Sequence, residues 1–137
     1  MKKRHRWLLA AIIWAAAIFI ATHSPSSTGG NTQWIIEKLL RLSPEHSALV
    51  NVGFRKLVHL GAFGLLAFLL CFGLEKRKFL LAWLLTTAYA ATDEFHQSFL
   101  PDRTASVWDV GLDSLGALIA LGLIKVLGLD QRSDKQS

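Results

Sequence analysis

The 137-residue chain has the length of one domain, and 52% of it is apolar against 18% charged. Soluble domains carry roughly a quarter charged residues, so this composition argues against a water-soluble globule. The net charge of +5 does not point to nucleic acid either, because the basic residues flank apolar blocks and do not form a stripe between aromatic ones.

The first block runs from Trp7 to Ala21 behind a basic start, Lys2-Lys3-Arg4-His5-Arg6. It has the outline of a secretory signal, but His23 stands where a small-x-small cleavage site belongs, and a retained anchor is the better reading. Ser24 to Asn31 reads as a small polar linker. In Trp34 to Leu42 the apolar positions 35, 36, 39, 40 and 42 share one helical face, which predicts a short amphipathic helix in the membrane interface or packed on the bundle. Ser43-Pro44 has the form of a helix start, and the helix is expected to run through Arg55-Lys56 into the second block, Leu57 to Leu74. Cys71 lies inside that block as the chain's single cysteine and reads as a buried, inert thiol. Glu75-Lys76-Arg77-Lys78 separates it from the third block, Phe79 to Ala91. Leu100-Pro101 breaks the third helix, Ser106 stands as a cap for the fourth, and the last block runs from Val107 to Leu129 before a polar tail.

A helix needs roughly 20 residues to cross the hydrocarbon core. With their polar ends included, the blocks predict an all-α bundle of four spans, near 7–22, 56–74, 79–98 and 107–129, in one domain covering 1–137. Basic residues set the orientation. Ten of them fall in the segments that would be cytoplasmic (the N-terminus, the Lys76 loop and the C-terminal tail) and five in the outer ones. Both termini are therefore expected in the cytoplasm.

The spans end in residues that a membrane should exclude. Counting about 20 residues from each inner boundary, at 1.5 Å per residue, puts His59, Asp93 and Glu94 roughly 6–8 Å inside the outer edge of the hydrocarbon. Asp113 comes about 4 Å inside it and Asp109 at the surface. Ionisable groups at such depth are a functional-site hypothesis by default. Spacings of three and four put Asp93, Glu94 and Gln97 on neighbouring faces of one helix. The same spacings join Asp109, Asp113 and Gly116 in a stripe that Ala117 and Ala120 continue, which turns the fourth helix's polar residues toward the bundle. Arg103, on the loop between, suits the role of a counter-charge for Asp93 or Asp109. For any one of these residues, holding helices together is as good an explanation as function, but a scaffold has no need of four carboxylates. His59, Glu94, His96 and Asp113 are possible metal ligands, yet no HExxH spacing or cysteine pair is present, and neither metal nor cofactor is expected. Ser98, Ser106 and Ser114 lack a nucleophile elbow.

Arg55-Lys56-x-x-His59, followed by Asp93-Glu94-x-x-Gln97-x-x-x-Pro101-x-Arg103 and then Asp109 and Gly116, resembles the VanZ-like family, as does Thr22-His23-Ser24 after the first span. Two positions depart from the pattern: Asp102, where glycine is frequent, and Asp113, where asparagine is frequent. The resemblance implies a small multi-pass bacterial membrane protein, in a family whose name-giving member is linked to resistance against lipid-tailed glycopeptides of the teicoplanin type. The expected function is recognition of a membrane lipid, a lipid-linked precursor or such an antibiotic at the outer leaflet. An enzyme acting on a lipid headgroup, with His59 and a carboxylate as acid and base, and a structural partner in a membrane complex are the alternatives.

Overall fold

The computed structural model describes residues 3–23, 29–75, 78–99 and 106–129. They form five helices: α1 (Lys3–His23), α2 (Gly29–Leu40), α3 (Pro44–Gly73), α4 (Lys78–Gln97) and α5 (Val107–Val126). α3 is the hub and packs against each of the other four.

Three helices, α1, α3 and α5, are long and apolar enough to cross a membrane. α4, predicted from sequence as a fourth span, has 20 residues, about 30 Å of helix, but falls short in apolar content. The reason is on its inner face, where Thr86, Asp93, Glu94 and Gln97 are buried. The outward faces are apolar: Ile12, Ile20, Leu57 and Leu84 are all exposed. Such a surface is the pattern of a chain solvated by lipid.

Ser43 caps α3 with Pro44 in its first turn, and the helix runs unbroken for 30 residues through Arg55 and Lys56. The cap hydroxyl meets His46 Nδ1 at 2.6 Å and not a backbone N–H. α2 begins earlier than the amphipathic pattern predicts, so Gly29 to Asn31 are helical and not linker. It ends at Leu40, where Arg41 takes a left-handed φ of 52°. Gln33 reaches from α2 to the Pro44 carbonyl (3.3 Å), which ties α2 to the first turn of α3, while Trp34, Ile35, Leu39 and Leu40 stay exposed.

Small residues set the helix spacing. Gly116 on α5 faces the Leu60 backbone of α3 so closely that a Cβ there would lie 2.3 Å from the Leu60 carbonyl oxygen, and Gly64 approaches Gly116 in turn. Toward the end of α3, Ala67, Cys71, Ala82, Ala117, Leu121 and Ile124 form one apolar cluster. Ala11, Ile18, Phe63, Leu66 and Ala90 form the other. Polar tips inside the bundle are satisfied across helices: Trp14 Nε1 donates to Ala62 O (2.9 Å), Tyr89 Oη to Ala15 O (2.7 Å) and Trp83 Nε1 to Ser114 Oγ (2.9 Å).

Candidate functional site

Contacts along the chain fix which helix ends share a level. Arg4 pairs with Glu75 and donates to the Gly73 carbonyl, so α1 begins where α3 ends. At the opposite end of the bundle, the close of α1 meets the close of α4, and the close of α4 meets the start of α5. His59, Asp93, Glu94, Gln97, Asp109 and Asp113 all belong to that end. Arg103 lies outside the described residues.

Each carboxylate has its own arrangement. Asp93, 2% exposed, accepts hydrogen bonds from Thr22 Oγ1 (2.9 Å) and Gln97 Nε2 (2.7 Å), one oxygen each. Gln97 is four residues on, one helical turn away. Glu94 accepts the Ser106 backbone N–H at 2.8 Å, in front of α5. There the partial positive charge of the helix N-terminus favours a carboxylate. The Ser106 side chain caps nothing, so its backbone performs the docking. Asp113, also 2% exposed, places Oδ2 3.5 Å from His59 Nδ1. Its other oxygen has no hydrogen-bond partner among the described residues.

Asp109 departs from the inward stripe expected of it. Its side chain is 35% exposed and pairs with Lys56 Nζ at 3.0 Å. It stands in the first turn of α5, where it meets α3 through Lys56 on the partly exposed side. Exposed pairs contribute about 0–1 kcal/mol. Lys56→Met is therefore expected to leave the thermal midpoint in detergent within the range of other surface substitutions, and a large loss would mean that the pair is buried in the membrane.

Two of the buried carboxylates stand one bond behind the wall of a cavity. A groove of about 470 Å³ opens between α1, α2 and α3. Its walls include Trp14, Ile18 and Phe63, and its polar lining is Thr22, Thr32, Arg55 and His59. Thr22 is held by Asp93 and His59 faces Asp113. The volume is in the usual range for small-molecule sites, roughly 300–1,000 Å³. Asp93, Glu94, Gln97 and Asp113 themselves are turned into the bundle and do not line the groove.

Sequence reasoning did not find Arg55, Thr22 or Thr32 as lining residues. Arg55 entered only as a basic residue at the head of the second span, Thr22 chiefly through a resemblance after the first, and Thr32 lay beside a stretch read as linker. A further contact joins α1 to α4 near Asp93: the rings of His23 and His96 lie 5.9 Å apart, with Phe19 stacked on His23. His23 Nδ1 lies 2.8 Å from the Phe19 carbonyl. Among the described residues no three histidine, cysteine or acidic side chains converge as a metal site would require.

A family model described as VanZ/LLP1 matches residues 7–128. Comparisons with curated proteins and with solved structures found no match. The matched stretch takes in all of the groove and all of the polar layer, and with the lipid-facing helices it identifies a membrane protein: the chain belongs to the VanZ/LLP1 family.

Proposed function

We propose that this protein binds an amphiphile in the outer layer of the bacterial cytoplasmic membrane. The observation that carries the reading is the groove between α1, α2 and α3, apolar along most of its wall and polar where it meets Thr22, Arg55 and His59. A hydrophobic tail fits the first part and a headgroup the second. A lipid-linked cell-wall precursor and a lipid-tailed glycopeptide both have this form. The buried carboxylates hold the polar wall in place, Asp93 through Thr22 and Asp113 through His59. Second-layer partners of this kind fix the orientation of groups that touch a ligand.

Filling the groove tests this. Ala21 lines it and makes no polar contact with the carboxylates. Ala21→Phe is expected to remove co-purified amphiphile from the native mass spectrum while leaving abundance and thermal midpoint near wild type. Glu94 neither lines the groove nor holds its wall, so Glu94→Gln, which keeps the acceptor for Ser106 N–H and removes the charge, should leave binding near wild type and serves as a control. Unchanged occupancy in Ala21→Phe overturns the reading.

The same proposal treats α4 as a fourth span and α2 as an interfacial helix with its Trp34–Leu40 face toward lipid, the groove and polar layer outside and both termini inside. The basic bias at the inner segments supports it. In a Cys71→Ala background, a cysteine at Glu45 should react with an impermeant thiol reagent in intact cells, and one at Lys125 only after permeabilisation. The reverse pattern would invert the topology.

A second reading, an enzyme acting on the headgroup, draws on one geometry. His59 borders the groove while Asp113 stands behind its Nδ1, the relation by which a carboxylate orients a general base. Binding would then survive His59→Gln while turnover of the bound lipid stopped.

A further inference from the structure

The charges around the groove say more about its occupant. Arg55 and His59 line its polar end, and Lys56 follows Arg55 on α3. Two have acidic partners, Lys56 in Asp109 and His59 in Asp113. Arg55 lines the groove and makes no ion pair with any described residue. None of the buried carboxylates lines the cavity: Asp93 and Asp113 stand behind the lining residues Thr22 and His59, and Glu94 accepts from Ser106. Among the described residues, the groove lining therefore holds one cation without an ion pair, Arg55, and no carboxylate. An unneutralised guanidinium at the edge of the hydrocarbon is costly and calls for a counter-anion.

The length of the groove agrees. From Trp14 to Thr22 it follows α1 for eight residues, roughly 12 Å. That is a channel for part of a lipid chain, running from the middle of α1 up to the polar layer. Arginine's planar fork matches the oxygens of a phosphate in bidentate fashion, and the Thr32 hydroxyl is a further donor on the lining. A headgroup phosphate with one negative charge would give Arg55 its counter-anion, while His59 already has an acidic partner in Asp113.

We propose that the groove takes a phosphate-headed lipid carrying one negative charge, with its chain between α1 and α3 and its phosphodiester on Arg55. This rests on the amphiphile reading above and narrows it to an acidic phospholipid of the surrounding membrane. Trp14, on the groove wall, is a built-in reporter. The protein is reconstituted into vesicles of unlabelled phosphatidylcholine containing a minor fraction of either phosphatidylglycerol or phosphatidylcholine with brominated chains. Quenching lost on Trp14→Phe is assigned to that residue. The expected result is a preference of about tenfold for phosphatidylglycerol over phosphatidylcholine, the size of one charge-assisted hydrogen-bonded contact. Arg55→Gln should abolish the preference and Arg55→Lys should keep part of it. Equal quenching by the two lipids, or a preference that survives Arg55→Gln, overturns the headgroup assignment and leaves the amphiphile reading standing. Absence of Trp14 quenching by either lipid means that no chain enters the groove, and both readings fall. A brominated fatty acid that competes as well as phosphatidylglycerol would replace phosphate by carboxylate and overturn the proposal.

Discussion

Gly116→Ala is expected to lower the yield of folded protein sharply, whereas Gly122→Ala, on the same helix, should be silent. The difference is a matter of what each new methyl group would meet. At Gly116 it would lie 2.3 Å from the Leu60 carbonyl oxygen, closer than real Cβ atoms come, and 3.0 Å from two Leu60 main-chain carbons. Those atoms belong to the α3 backbone, so relief requires α3 and α5 to move apart and not a side chain to rotate. At Gly122 nothing stands within 4 Å. Overpacking of a close-packed interior costs about 1–3 kcal/mol even where side chains can adjust. The interface here is the one that sets His59 against Asp113, so separation also loosens the polar layer. The measurement is the thermal midpoint and monodisperse yield of both variants in one detergent, with Gly116→Leu as the more severe case. If Gly116→Ala matches Gly122→Ala, α3 and α5 do not approach at Leu60.

Much of this arrangement was legible from residue counting. A helix rises by a constant amount per residue, and basic residues mark where spans begin, so His59, Asp93, Glu94 and Asp113 could be assigned to one level before any contact was known. They do meet at one end of the bundle. The four-residue step from Asp109 to Asp113 was less informative, because periodicity describes a face and not how far along the helix that face stays covered. Asp113 is enclosed, while Asp109, one turn earlier, reaches out to Lys56. The start of α2 was missed because Gly29, Gly30 and Asn31 are poor helix formers. The helix they begin is anchored to α3 by Gln33, a tertiary contact that no local pattern reports. The groove was invisible for the same reason. Its lining comes from three helices, and none of them carries a motif for a cavity.

The polar pair His59 and Asp113 should respond to substitution as a coupled unit. Asp113 is 2% exposed, and His59 is the one ionisable partner that the described residues bring to ion-pair distance of it, at 3.5 Å. His59→Ala removes that partner and leaves a carboxylate in a dry interior beside an oxygen that already lacks a hydrogen bond. Breaking a buried pair from one side commonly costs about 3–5 kcal/mol in soluble proteins. His59→Ala is therefore expected to lose most of its folded yield in detergent. Asp113→Asn has a different effect. It removes the charge whose desolvation is the main cost, keeps the size of the side chain and adds an N–H₂ donor. It also restores the asparagine that is frequent at this position in the family the sequence resembles. Alone, Asp113→Asn should be near neutral in stability. Combined with His59→Ala, it should recover much of what the single change loses, so that the two effects fail to add. Thermal midpoints of the wild type, the two single variants and the double variant close the cycle. Strict additivity would show that Asp113 is not charged against His59, and would move the reason for its burial to packing alone. Strong coupling would mean that the histidine wall of the groove is held by the acid behind it. Loss of ligand in His59→Ala would then have to be read together with the double variant, in which the fold is restored and the imidazole alone is missing.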